Sequence, residues 1–296
     1  MIHPYVCHKY AKTLFHIGQA LYVPEWSCNV LIRNSGIRDA IGVYPVTMLS
    51  PDADIVGGLT RLKELGLVTI TIVLDYHHIS KLKQINKHFI WIKPFKKHYL
   101  NHPSDDKFIY DSHCRYEVKK AYKYVDVRLL DWKRDSLSWQ KLYSFLIMRH
   151  KLRGMHLFPK EHHEYFGNSD GIVALGAWKE SELVSAHIFA TDGKRVYSHL
   201  QASSKNGYKC SASYAVNDAA LILFKDSEFI NFGGVAGIKD EASNGLEFFK
   251  RCFSNSVSTA YICGAILDDE LYNFLNRSKG TSESIDFFPP YRSPIR

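Results

Sequence analysis

The sequence has no CxxC pair, no Walker-type phosphate loop, no GxGxxG, no GxSxG and no HExxH. Kinase, dehydrogenase and hydrolase readings therefore lose their usual sequence support. The six cysteines (Cys7, Cys28, Cys114, Cys210, Cys252 and Cys263) are scattered without paired spacing. That argues against a zinc ribbon or a disulfide framework and fits a reducing compartment. No apolar run reaches the roughly 18 residues a membrane-spanning helix needs, so no transmembrane segment is expected. The opening Met1-Ile2-His3-Pro4 lacks a basic stretch followed by an apolar one, so no signal peptide is expected, and a cytoplasmic location is. There is no short-period repeat. Acidic residues are missing from one long stretch: Ile79 to Pro103 holds six lysines (Lys81, Lys83, Lys87, Lys93, Lys96 and Lys97) and no Asp or Glu. A solvated face accounts for that cluster as readily as a binding surface does.

What is present is an ordinary globular composition. Of 296 residues, 46% are hydrophobic and 23% charged, with 18 Tyr and 17 Phe, enough to bury a core and to form two domains. The formal charge of +8 points to anionic partners without choosing among nucleic acid, a nucleotide-bearing co-substrate and a membrane surface.

Hydrophobic patterning predicts strands interleaved with helices in both halves. Strands are expected at Cys28–Arg33, Ile37–Leu49 (turning at Asn34-Ser35-Gly36), Val68–Leu74 and His88–Ile92. A loop is expected at Ser50-Pro51 to Gly57-Gly58, and a short helix near 80–86. A helix follows from Ser112 to Tyr124, with Arg115, Lys119 and Lys123 on one face, then a strand Val125–Leu130. Asp135 opens a longer helix ending in the basic run Arg149-His150-Lys151-Leu152-Arg153, with Gly154 as its stop. The second half reads as three antiparallel strands (Gly171–Trp178, Leu183–Ala190, Arg195–Gln201), a polar loop Ala202–Lys209 and a helix from Ser211. A short strand, a helix, a strand Thr259–Ile266 and a last helix Asp268–Asn276 complete it.

The stretch that organises the rest is Glu228-Phe229-Ile230-Asn231-Phe232-Gly233-Gly234, followed by Gly245-Leu246-Glu247-Phe248-Phe249-Lys250-Arg251. It predicts a short strand stopping at two glycines, where the backbone can turn or approach a ligand, and then an amphipathic helix.

These residues carry a resemblance. Asn231-Phe232-Gly233-Gly234 and Gly245-Leu246-Glu247-Phe248-Phe249-Lys250 resemble the Asp-Phe-Gly-Gly strand and Gly-Leu-x-x-Phe-Lys helix of FemAB-type acyltransferases. Arg115-Tyr116-Glu117-Val118-Lys119-Lys120-Ala121 is similar to the basic helix closing the first domain of that family. The likeness spans roughly Trp26 to Ile266, and Asn231 departs from it where an acidic residue is usual. It implies an α/β protein of two GNAT-like domains, expected at 1–135 and 136–296, with mixed, largely antiparallel sheets flanked by helices. It also implies transfer of an acyl or aminoacyl group to an amine of an amino sugar, peptide or envelope precursor. The donor would be an acyl-coenzyme A or, as the alternative, an aminoacyl-tRNA; a catalytically silent binding protein is the third reading. No permanently bound cofactor is expected.

Placed on this chain, the implied donor site is Gln201, Lys205, Asn206, Gly207, Tyr208 and Lys209, before the Ser211 helix, whose N-terminus would favour phosphate. The implied substrate contacts are Arg115, Lys119, Lys120, Trp26, Gly233, Gly234 and Arg251. Glu247, Lys250, His199 and Asn231 are the catalytic candidates, with Asp240 and His187 as further possible bases. Within strands, His187 and His199 also fit satisfied core histidines, and Glu247 an ion pair with Arg251. His156, His162, His163 and Glu164 are the residues a metal would use, but adjacent His162 and His163 point apart on a helix, and no metal site is expected.

Overall fold

The computed structural model describes residues 1–33, 35, 36–75, 77–78, 85–105, 108–235, 244–281 and 287–293. The Asn34 turn, Lys81 and Lys83, most of the helix expected near 80–86, and Asp240 lie outside the described residues. In chain order, α1 (His8–Lys12), β1 (Gly18–Val23), β2 (Cys28–Arg33), β3 (Ala40–Gly42), α2 (Ile55–Glu64), β4 (Thr69–Leu74) and β5 (Trp91–Asn101) come first. They are followed by α3 (Ser112–Ala121), β6 (Asp126–Leu129), α4 (Trp132–His150), α5 (Lys160–Phe166), β7 (Ile172–Lys179), β8 (Glu182–Thr191) and β9 (Arg195–Ser203). Then come α6 (Lys205–Lys209), α7 (Ala212–Leu223), β10 (Phe229–Asn231), α8 (Asn244–Arg251), β11 (Ser256–Ile266) and α9 (Asp269–Ser278).

The chain forms two compact units, Met1–Pro4 with Lys96–Ser258, and Tyr5–Phe95 with Thr259–Arg296. The chain passes from one unit to the other at 4/5, 95/96 and 258/259. The C-terminal segment returns to the first unit in sequence because β11 lies antiparallel to β4, with Cys263 opposite Ile72.

In the unit of Tyr5–Phe95 and Thr259–Arg296, β1, β2, β3, β4 and β11 are neighbours in that order. β3 runs parallel to β4 and the other pairs are antiparallel. Gly57 and Gly58 sit inside α2, not in a loop. Asp54 caps that helix by accepting from Gly57 N, and Gly58 lies under the Trp26 indole, where an added Cβ would be 2.0 Å from Nε1. The strand expected over Ile37–Leu49 is only Ala40–Gly42, and the buried Asp39 just before it is bound to the C-terminal segment. Its carboxylate accepts from Arg292 Nε at 2.9 Å and Nη2 at 3.0 Å, beside Tyr291. An Asp39→Ala variant, which leaves Arg292 without its partner, is expected to lose roughly 3 kcal/mol of stability in chemical denaturation.

In the unit of Lys96–Ser258, the sheet runs β5, β10, β9, β8, β7, β6. β10 lies parallel to β9 and antiparallel to β5; the remaining pairs are antiparallel. Helices α3 and α7 cover one apolar cluster built on Val118, Val184, Phe189, Val216, Ile230 and Phe253. Asp111 caps α3 through Cys114 N, and Asp131, rather than Asp135, opens α4 by accepting from Lys133 N. α4 ends one turn earlier than Gly154 suggests, with Lys151 itself in the left-handed conformation at φ 49°. The polar loop expected over Ala202–Lys209 is instead the end of β9 and the helix α6. Among the described residues no helix is long and apolar enough to cross a membrane.

Candidate functional site at the end of β10

β10 ends at Asn231, and the chain then turns at Gly233, whose φ of +71° is a conformation that favours glycine. Gly234 lies flat against β5, where an added Cβ would be 3.0 Å from Lys97 O and from Lys96 Cβ. The turn is pinned from both sides. Phe232 N donates to Tyr99 O at 2.8 Å and Tyr99 N to Gly233 O at 3.3 Å. Asn231 Oδ1 accepts from Gly233 N at 2.8 Å, while its amide nitrogen donates to His98 Nδ1 at 3.2 Å.

This geometry explains the departure at position 231. An aspartate could accept from Gly233 N, but only an amide also donates to an unprotonated His98 nitrogen. Asn231 is 1% exposed, and its side chain is bound into the turn.

Helix α8 carries Glu247 and Lys250 three residues apart, hence on one face. Lys250 Nζ donates to Phe232 O at 2.6 Å and Gly234 O at 2.5 Å. Burial, helped by repulsion from Lys96, lowers its pKa from 10.5 to about 7. Glu247 Oε1 accepts from the Tyr99 hydroxyl at 2.7 Å, rather than pairing with Arg251. Arg251 is exposed and lines a cavity of about 340 Å³ with Asp105, Asp111, Ser254 and Asn255. Thus Gly233, Gly234, Glu247 and Lys250 come together, and the sequence reading missed Lys96, His98 and Tyr99, which hold them. β5 and β10 pair Asn101 with Ile230 across a long stretch of sequence, and strand alternation carries no signal of such a partner.

The residues expected to cradle donor phosphates are arranged differently. Ser204 caps α6 by accepting from Gly207 N, and Gly207 is not in the left-handed region. Its missing side chain serves packing, since a Cβ would lie 2.1 Å from Val184 O. Asn206 donates to Glu182 Oε2 at 3.1 Å, and Tyr208 lies under Arg149 at 4.3 Å. Lys205 and Lys209 are exposed. Gln201 keeps capacity, because its buried amide nitrogen has no acceptor among the described residues.

Beside the start of α7 stands a carboxylate of the chain itself: Ser211 Oγ donates to Glu117, and Lys120 donates to both, at 3.1 and 3.2 Å. Burial alone would raise the Glu117 pKa, but these hydrogen bonds outweigh it and hold it below the usual value. Lys120 is thus engaged within the fold, whereas Arg115 and Lys119 are exposed on α3. Trp26 is fully buried in the core of the other unit, which corrects its assignment as a substrate contact.

His187 and His199 are core histidines. His187 bonds Asn217 Oδ1 at 2.8 Å and Ser198 Oγ at 2.7 Å. His199 and His162 meet Nε2 to Nε2 at 3.0 Å, and His163 Nδ1 accepts from Trp139 Nε1 at 3.0 Å. His162 and His163 thus bond separate partners, one His199 and the other Trp139.

At the level of sequence, no family model and no curated relative matches the chain. Solved structures match its fold: its α/β architecture is similar to that of FemX and of two proteins named for lysylphosphatidylglycerol synthesis. FemX is 12% identical over 90% of this chain and 92% of its own, with a TM-score of 0.64. The C-terminal domain of a protein assigned as a lysylphosphatidylglycerol synthetase from Agrobacterium fabrum is 12% identical over 94% of each chain, with a TM-score of 0.63. L-PGS from Bacillus licheniformis is 11% identical over 90% of this chain and 93% of its own, with a TM-score of 0.59.

Two predictions follow from the hydrogen bonds above. Asn231→Ala removes the turn's side-chain acceptor and leaves His98 short of a donor, at an expected cost of about 1–3 kcal/mol in denaturant unfolding. The second concerns acid. Burial holds His187 and His199 at about 3 and His163 at about 4, against an ordinary 6.5. Unfolding exposes them, so the unfolded chain binds more protons below 6.5, and stability is full above that pH and falls as pH drops toward 3. A melting temperature that stays flat from neutrality to about pH 5 would contradict this.

Proposed function

We propose that this chain is an N-acyltransferase, moving an acyl or aminoacyl group from an activated donor, with acyl-coenzyme A favoured, to an amine. The acceptor class is an amino sugar, a peptide or an envelope precursor. The observation that carries the reading is the Lys250 ammonium on the carbonyls of the Gly233–Gly234 turn, where two parallel strands part. β10 pairs with β9 only from Phe229 to Asn231, opposite Arg195 to Tyr197. β9 continues to Ser203, so its main-chain edge beyond Tyr197 has no β10 partner, and Gln201 with its spare amide lies on that segment. An extended donor arm can pair with such an edge.

In this reading the acceptor nitrogen attacks the donor carbonyl, the new C–N bond forms, and the thioester C–S bond breaks. The amine's proton leaves with the thiol. Lys250 spends two of its three N–H groups on carbonyls, and the third is available to the developing oxyanion. Glu247, fixed by Tyr99, is available to the acceptor amine. Arg115, Lys119 and Arg251, all exposed, are placed to meet anionic parts of donor or acceptor.

The second reading, an aminoacyl-tRNA donor, is favoured by the exposed Arg115, Tyr116 and Lys119 along α3, a basic face with an aromatic on it. The names of the fold relatives agree with aminoacyl transfer.

Mass spectrometry of products formed from a panel of acyl-coenzyme A and aminoacyl-tRNA donors tests the activity directly. Lys250→Met is expected to lower kcat/KM by about a hundredfold or more. The acting form is the ammonium, so kcat/KM of the unaltered protein should fall as pH rises through about 7. Full turnover in Lys250→Met, or an alkaline limb that survives in it, removes Lys250 from the chemistry.

A further inference from the structure

Between Asp135 and Glu161 the sequence has no acidic residue and five basic ones, Lys141, Arg149, Lys151, Arg153 and Lys160. The acyl-transfer reading uses none of them. The end of α4 and the turn after it present the middle of this stretch as one protrusion. Lys151 in the left-handed conformation stops the helix, and Tyr143 donates to His156 O at 2.7 Å, tying the turn back onto α4. On it, Met148 is 70% exposed, Met155 43% and Leu157 45%, among the exposed Arg149, His150, Lys151 and Arg153. Arg149 over the Tyr208 ring brings α6, with the exposed Lys205 and Lys209, alongside. Of the nearby acids, Glu164 pairs with Lys160 and Glu182 accepts from Asn206, while Glu161 stands exposed at the start of α5, beyond the protrusion.

We infer that this protrusion docks the protein onto an anionic phospholipid surface, the aliphatic side chains entering the headgroup boundary and the cations resting on lipid phosphates. Two features favour a bilayer over nucleic acid. The exposed apolar groups are methionine and leucine, which insert among acyl chains but offer no ring for bases to stack on. The aromatic ring that is present, Tyr208, already carries Arg149 on one face. Apolar side chains ringed by basic ones, with no acid among them, match the negative surface of such a membrane, and each cation near it strengthens binding by about fivefold.

Sedimentation with vesicles tests this. The full chain is expected to bind vesicles of equal parts phosphatidylcholine and phosphatidylserine, to ignore phosphatidylcholine alone, and to release as salt rises. Arg149→Gln, Lys151→Gln and Arg153→Gln together should lower the partition coefficient by roughly a hundredfold. Met148→Ser, Met155→Ser and Leu157→Ser together should also abolish most binding, with melting temperatures unchanged in both triples. Should either triple melt early, the single Met148→Asp, at the most exposed of these apolar positions, carries the test with the same expected loss. No binding to the anionic vesicles at low salt overturns the inference. So does loss in the charge triple alone, which is plain adsorption. RNA binding that the charge triple abolishes, without vesicle binding, makes the surface a nucleic-acid one and overturns it too.

Discussion

The ammonium of Lys250, held on the carbonyls of Phe232 and Gly234, is the interaction on which the candidate site depends. It joins the start of the turn to its end and ties both to α8, so strand, turn and helix hold one another in place. The arrangement is costly to the charge. Two hydrogen bonds to carbonyls do not replace full hydration, and Lys96 adds repulsion, which is why the proton is held loosely near neutrality. A lysine so placed is held by main-chain carbonyls rather than by a carboxylate.

β5 is the backing of this assembly. Successive residues on it do separate tasks: Lys96 donates to Val235 O, His98 accepts from Asn231, and Tyr99 supports both the Gly233 carbonyl and Glu247. In the same unit, buried histidines take roles that need them neutral, and Glu117 occupies the place beside α7 where a donor phosphate was expected. Polar groups that look catalytic in the sequence are thus largely spent on holding the fold.

Much of the fold was legible. Val68–Leu74, the strand trio of the second half and the α3 and α7 helices announced themselves through their hydrophobic period, because that signal is local. The Gly233-Gly234 turn and the Phe-Phe-Lys helix were legible for the same reason. Other features misled. Gly57-Gly58 read as a loop, yet these glycines sit in a helix because Trp26 needs the space above Gly58. Ala202–Lys209 read as a polar loop, yet Gly207 is there to let α6 lie on Val184.

What the sequence determined by itself was the alternation of elements, the positive charge and the residues at the β10 turn, all consequences of neighbours in the chain. Tertiary structure alone decided that residues 259–296 rejoin residues 5–95, that Tyr99 holds Glu247, and that Asn231 serves the turn. Those depend on strand pairing between residues far apart, which local pattern does not encode, and on burial, which turns a lysine with an ordinary pKa into one poised near 7.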